Sequence, residues 1–218
     1  MYKDVDTLAR EAKLAAFKEV GSTVPFGAYE QDNTSNGKET IEWLVLANEG
    51  NRSLLISQYA LDCQQYNPDY WEDVTWETCS PRTWLNSTFL NAAFTADEQE
   101  AILKTSVDNS KSQSNSNWST SGGNNTTDQI FLLSYAEAEK YFSSDSDRIC
   151  EPTAYAKAQK ARAYDNGNCT WWLRSPGKFQ DYAAHVSADG SLGYNNSVDC
   201  DYYAVRPAFW INLESENF

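Results

Sequence analysis

The chain has 218 residues, 41% of them hydrophobic and 14% aromatic, with eight Trp, which is enough apolar surface for the core of one large domain or two small ones. Its formal net charge of −14 argues against nucleic acid and anionic membranes, both of which select clusters of Lys and Arg. No apolar run approaches the ~20 residues of a membrane span, and "MYKDVDTLAREAKLAAFKEV" lacks the basic-then-apolar order of a secretion leader, so neither membrane insertion nor a leader is expected.

Residues 4–20 place Leu8, Ala12, Ala15 and Val20 near one face and predict a short amphipathic helix. "GSTVPFGAYEQ" breaks it, setting residues 1–21 apart from a domain over 22–218. "TIEWLVLANEGNRSLLISQYAL" predicts a hairpin: Ile41, Trp43 and Val45 alternate with outer residues, Glu49-Gly50-Asn51 turns, and Leu54 to Ile56 returns. "SPRTWLNSTFLNAAF" predicts a helix with Ser80 as its cap, Pro81 in the first turn and an apolar stripe of Trp84, Leu85, Phe89 and Leu90. A second short helix starts at Thr95, with Glu98 completing a capping box. Residues 108–127, "DNSKSQSNSNWSTSGGNNTT", are almost free of apolar side chains and predict a mobile surface loop. "DQIFLLS" predicts a short buried strand, and "YAEAEKYF" and "EPTAYAKAQKA" two more helices. Strands follow: "TWWLRS", then "AAHVSADGSLGY" turning at Asp189-Gly190, then "AVRPAFWINL". Helices in the middle and strands at both ends predict an α+β fold with an antiparallel sheet joining the termini, "IEWLVL" and "AVRPAFWINL" sharing that sheet.

Little in the sequence points to catalysis. His185 is the only His, no phosphate-cradling glycine motif is present, and the carboxylate pairs around Glu72, Asp73 and Glu77 are what a chain this acidic produces by chance. Asn67-Pro68-Asp69 matches a sugar-binding calcium triplet of lectins, but its usual companion sequence is absent. The five cysteines, Cys63, Cys79, Cys150, Cys169 and Cys200, contain no CxxC pair; four sit in framework-like sequence and read as small buried hydrophobes. No catalytic residue, metal or cofactor is expected.

One stretch differs in composition from its surroundings. Residues 179–203, "FQDYAAHVSADGSLGYNNSVDCDYY", mix Tyr, Asp, Asn, Ser and Gly between flanks rich in Trp, Leu, Val, Arg and Pro. Tyr and His offer large amphipathic contact area at low entropy cost, and Ser, Asn and Asp offer adaptable hydrogen bonds, as in antibody loops. Alternation in "AAHVSA" would send Ala184, Val186 and Ala188 inward and His185 and Ser187 outward. The expected binding residues are Phe179, Asp181, Tyr182, His185, Ser187, Tyr194, Asn195, Asn196, Asp199, Asp201, Tyr202 and Tyr203, forming one solvent-facing patch. His185 would add a pH response near its ordinary value of ~6.5. Trp171, Trp172, Val205 and Trp210 would anchor the strands beneath, with Arg174 and Arg206 pairing to buried carboxylates or carbonyls.

"VPFGAYEQ", "IEWLVL", "LLISQYALDC", "DVTWETCSPRTWLN", "FLLS", "PTAYAKAQ", "WWLRSPG" and "AVRPAFWINL" occur in order over about residues 22–213. Together they resemble a bacterial and phage domain family of no assigned activity, with a C-type-lectin-like fold in the version shared with formylglycine-generating enzymes. The copper-binding cysteine pair of those enzymes has no residue-by-residue match here. Some proteins of this fold are variable proteins of diversity-generating retroelements, whose 3′ coding end is overwritten with errors at adenines. Randomising the first two bases of an Asn codon never reaches Lys, Glu, Gln, Trp or Met. Of the 218 residues, 34 are Lys, Glu, Trp or Met, so a 25-residue window should hold about four; residues 179–203 hold none, and a single Gln. The resemblance therefore implies a receptor-like binding protein, not an enzyme, whose segment 179–203 is diversified toward varied protein or glycan targets. A carbohydrate-binding module of fixed specificity is the alternative, and an oxidase of the formylglycine-generating type a more distant one. The ligand, the oligomeric state and the cellular location stay open at this level.

Overall fold

Alternating apolar positions build the first sheet. β1 (Thr23–Tyr29), β2 (Glu39–Glu49) and β3 (Arg52–Ser57) run antiparallel, and Gly50, at φ 60°, makes the turn from β2 to β3. The fourth strand, β11 (Ala208–Asn212), pairs antiparallel with β3 from Ala208↔Ile56 to Asn212↔Arg52, giving the order β1-β2-β3-β11. "IEWLVL" and the end of "AVRPAFWINL" thus share a sheet, as expected, with β3 between them. The computed structural model that shows this describes residues 5–217, which form a mixed α/β fold of mostly antiparallel sheets and few helices.

The second sheet carries the C-terminal strands. Its order is β4 (Asp62–Cys63), β10 (Ala204–Val205), β7 (Trp171–Pro176), β8 (Tyr182–Val186) and β9 (Leu192–Ser197), and its one parallel pair is β10 with β7. "AVRPAFWINL" is therefore two strands rather than one. Pro207 has no N–H for a ladder, and at Arg206-Pro207 the chain passes from the second sheet to the first. A small hairpin of β5 (Thr105–Val107) and β6 (Thr126–Asp128) stands apart.

Helices occupy the middle of the chain, together with the N-terminal α1 (Val5–Lys18). The expected helix after Ser80 runs as α2 (Ser80–Trp84), a wider-wound turn at Leu85–Phe89 and α3 (Leu90–Ala93); Cys79 rather than Ser80 precedes it. The Thr95–Glu98 capping box opens α4 (Ala96–Ala101), and Ser134 with Glu137 makes a second box at α5 (Tyr135–Tyr141). Two further helices are α6 (Asp145–Arg148), which the sequence reading did not foresee, and α7 (Ala154–Ala158). None of the described helices is long and apolar enough to cross a membrane.

Three local expectations need correction. The face of α1 built on Leu8, Ala12 and Ala15 is exposed; Phe17, fully buried, is the residue that packs, with its ring against Phe26. "DQIFLLS" is buried but forms a single bridge, Phe131 to Ala208, instead of a strand. The polar stretch 108–127 is fastened to the framework rather than free. Ser175 Oγ donates to Gln113 O at 2.6 Å, Thr120 Oγ1 to Gly177 O at 2.8 Å, and Gln180 Oε1 accepts from the Ser121 N–H at 2.9 Å.

Both sheets are backed by aromatic clusters. Under the first, Trp43 lies 4.6 Å from the Phe209 ring and donates its Nε1–H to Phe26 O at 2.6 Å. In the second, Trp171 and Trp172 are fully buried, and the Arg206 guanidinium sits 5.1 Å over Trp171 while Nε donates to Ser57 O at 2.8 Å.

Candidate functional site

Segment 179–203 is the outer hairpin of the second sheet with the chain leading into and out of it. Its turn is where the Asp-Gly signal put it. Ser187 N–H donates to Ser191 O and Gly190 N–H to Ser187 O, both at 2.8 Å, with Gly190 at φ 85°. Asp189 accepts from the hydroxyl and N–H of Ser191, which hold its carboxyl below the usual range. Arg148 Nε donates to Gly190 O at 2.9 Å, tying the turn to α6.

Of the twelve expected residues, Phe179, Asn195, Asp201 and Tyr202 are exposed, and Asp181, Tyr182, Ser187, Tyr194, Asn196 and Asp199 are partly so. They fall into neighbouring groups. Phe179 meets Tyr182 at 5.2 Å between ring centroids, and the adjoining Lys178 N–H donates to Tyr194 O at 2.7 Å. Tyr194 in turn packs, tilted at 43°, with its ring centroid 4.6 Å from that of Trp118, which comes from the polar loop. Tyr202 leads into a second group with Tyr203 and His185, and Asp201 pairs there with Lys160 at 3.0 Å. Ser187 lines a cleft of about 590 Å³ with Tyr203, Arg162, Tyr164 and Asn166.

His185 and Tyr203 do not face solvent; they are 5% and 8% exposed. Alternation does send His185 away from Ala184 and Val186, but that side of the sheet is covered too. His185 pairs with Trp172 across the strands, and Tyr203 packs 4.6 Å from Trp172 and 5.2 Å from His185. Tyr66 closes the layer at 5.6 Å from Trp172. Ala188, expected inward, is half-buried at the turn. The two residues thus form the floor under the surface rather than the surface itself.

That floor is short of hydrogen bonds. His185 Nδ1 and Asn196 Nδ2 are both buried and make no close, well-aligned hydrogen bond; their polar neighbours are the Ala183 backbone and the Tyr203 side chain. A β-carbon on Gly193, which pairs with His185 across the strands, would fall inside the imidazole, so only Gly fits over the ring. Burial pushes His185 down to about 4, and the imidazole is neutral at physiological pH. The expected response near 6.5 is therefore displaced. Because the folded value lies below the unfolded one of ~6.5, the unfolded chain takes up the proton first. Stability is complete above about 6.5 and is lost as pH falls toward 4. Urea melts at pH 7 and 4.5 on the native chain and on His185→Gln check this: the variant should lose less stability on acidification, and parallel losses would refute it.

Trp171, Trp172 and Val205 are buried in the second sheet as foreseen, but Trp210 is not beneath the segment: it lies on β11 of the first sheet, opposite Leu54 and under the Arg52 guanidinium. Arg174, buried, pairs with Glu137 through both of its terminal nitrogens and donates to Leu132 O at 2.9 Å, Asp108 O at 3.0 Å and Asn109 Oδ1 at 3.2 Å. All five cysteines are buried free thiols, Cys200 included. Among the described residues, three acidic side chains close enough to share an ion occur at Glu30, Asp32 and Glu39, in the β1–β2 connection outside the segment.

In the loop 67–73, sequence reasoning weighed Asn67-Pro68-Asp69 and the carboxylates Glu72 and Asp73 but missed the exposed aromatic pair between them. Tyr70 and Trp71 are 61% and 68% exposed, where an aromatic pair in a chain of eight Trp reads as core. The loop borders the segment: Asn67 N–H donates to Val198 O at 2.9 Å, and Gln180 Nε2 donates to Val74 O at 3.1 Å.

A family model described as a domain of unknown function (DUF6273) matches residues 50–213, about three quarters of the chain. No curated protein and no solved structure matches it.

Proposed function

This chain belongs to the DUF6273 family, a domain of unknown function, and we propose that it is a ligand-binding protein whose target is set by the outward side chains of residues 179–203. The observation that carries the reading is the division within that segment. Ala183, Ala184, Val186 and Val198 are buried against the sheet, while Phe179, Tyr182, Tyr194, Asn195, Tyr202 and their polar neighbours reach solvent. Outward residues then change at little cost to the core, which is the condition for a recognition surface that varies. The ten such side chains that reach solvent, four of them exposed and six partly so, contribute toward the ~800 Å² per partner that stable protein binding needs.

The same proposal includes a C-type-lectin-like fold and diversification of the segment by a retroelement. Support for the fold is the sheet joining the two ends of the domain, with short helices between, together with the ordered motifs over 22–213. Support for diversification is the absence of Lys, Glu, Trp and Met from 179–203 beside four Tyr, a Phe and a Cys. No residue is assigned a catalytic role. The single imidazole is neutral, buried and hydrogen-bonded to no hydroxyl or thiol.

The test is a displayed library randomised at Phe179, Tyr182, Tyr194, Asn195, Asp201 and Tyr202 over the residues that altered Asn codons reach. Most members should fold, and selection against unrelated proteins should recover specific binders. A library that mostly fails to fold would overturn the reading. A native chain that instead recognises one sugar on a glycan array would favour the fixed carbohydrate-binding alternative. A near-copy of the segment's coding sequence beside a reverse transcriptase gene would support the retroelement, and its absence from the gene's surroundings would remove it.

A further inference from the structure

We propose that the loop 67–73 is a docking site for an arginine-bearing basic segment of a partner protein. The inference deepens the binding reading above and rests on it in placing the partner on the same surface. Tyr70 and Trp71 are the two most exposed large hydrophobic side chains among the described residues. Their rings meet edge to face, with centroids 5.0 Å apart and planes at 80°, so ring faces are left open to solvent. An aromatic face carries the negative side of its quadrupole and attracts a cation placed over it.

The charge around the pair has the matching sign. Asp69, Glu72 and Asp73 are exposed, and none of them makes an ion pair among the described residues. Lys178, two residues before the Gln180 that holds the loop, has its Nζ 5.4 Å over Phe179 and 5.7 Å over Trp118, and no Lys or Arg lines the cleft formed by the loop among the described residues. Asp69, Tyr70, Glu72 and Asp73 also line one polar cleft of about 530 Å³ with Asn67 and Thr78. The complementary partner is planar and cationic, able to stack on a ring while forking two N–H bonds to a carboxylate. That describes a guanidinium better than an ammonium, which is a compact, strongly hydrated point charge.

The loop is held where such a partner would meet both it and the segment. Asn67 N–H donates to Val198 O, Val74 N–H donates to Gln180 O at 3.3 Å, and the Gln180 side chain closes back on Val74. Trp71 adopts φ 63°, a region bulky residues seldom occupy, and its ring is turned outward.

The test uses the intact chain and a fluorescein-labelled Arg-Gly repeat peptide, with the same peptide carrying uncharged citrulline in place of Arg, read by fluorescence anisotropy. The Arg peptide should bind and the citrulline peptide should not. Trp71→Ala should weaken binding about tenfold, and Trp71→Phe should retain most of it. Because the chain is strongly acidic, a charge-matched pair separates a site from general attraction. Asp69→Asn with Asp73→Asn should weaken binding several-fold more than Asp97→Asn with Glu100→Gln on α4. Equal losses for the two pairs, or no loss for Trp71→Ala, would overturn the proposal. Circular dichroism of each variant confirms that the exposed changes leave the fold intact. The library selection above uses targets other than this peptide, so each idea can fail while the other stands.

Discussion

Trp172→Ala is expected to destabilise the chain by about 3–5 kcal/mol, the range for deleting a large buried aromatic. Trp172 is fully buried, its Nε1–H is spent on Gln64 O at 2.9 Å, and its ring touches Tyr66, Tyr203 and His185. The substitution empties the middle of that layer and leaves Gln64 O without its donor. Trp172→Phe keeps most of the volume but loses the N–H, and should cost about 1–3 kcal/mol. By contrast Tyr202→Ala, one position beyond the layer and open to solvent, should stay within about 0.5 kcal/mol. Denaturant midpoints on the three variants decide the matter. A loss for Trp172→Ala no larger than that for Tyr202→Ala would mean that the layer beneath residues 179–203 is not part of the core.

The second large effect is expected at Arg174. Its side chain is 1% exposed and that of Glu137 25%, so Arg174→Met leaves a carboxylate mostly out of water with its charge uncompensated. Breaking such a pair from one side costs about 3–5 kcal/mol, and the partial exposure of Glu137 places the result near the lower figure. The guanidinium also collects Leu132 O, Asp108 O and Asn109 Oδ1, acceptors from two separate stretches of chain. Arg174→Lys restores the charge but not the fork and should recover only part of the loss. Alongside the melts, limited proteolysis should show residues 108–125 cut sooner in Arg174→Met. Unchanged cleavage there would show that the loop is held by its contacts with Ser175, Gly177 and Gln180 instead.

Local chemistry was read well from the sequence. Thr95 with Glu98 announces a helix start, Asp189-Gly190 announces a turn, and the alternation of Ile41, Trp43 and Val45 announces a half-covered strand. Each of these signals is complete within a few residues. Some failures were local, such as Cys79 in place of Ser80 before α2 and the unforeseen α6, but those that bear on segment 179–203 depend on distant chain. His185 obeys the alternation expected of it, yet Tyr203 and Trp172 cover the face it points to, and no local pattern reveals that cover. Arg206-Pro207 divides an apparently continuous strand because the two halves find partners in different sheets. Tyr70 and Trp71 were missed for the converse reason: composition alone cannot tell an aromatic ring that packs from one held out to solvent. The hairpin of residues 179–203 was legible as a segment, but the layer beneath it and the exposed rings of the neighbouring loop were not.

The register of β11 on β3 has a consequence for how the chain is made. Ile56 leaves the ribosome 152 residues (208 − 56) before its partner Ala208, so β3 waits through that stretch of synthesis as the open edge of a three-stranded sheet. Contacts of such long sequence separation slow folding, and an unpaired apolar edge is what chaperones and proteases recognise. Residues 179–203 are translated just before the strand that closes that edge. A substitution there that makes the segment fold badly would delay closure and leave Leu54, Leu55 and Ile56 on display, marking the molecule for removal.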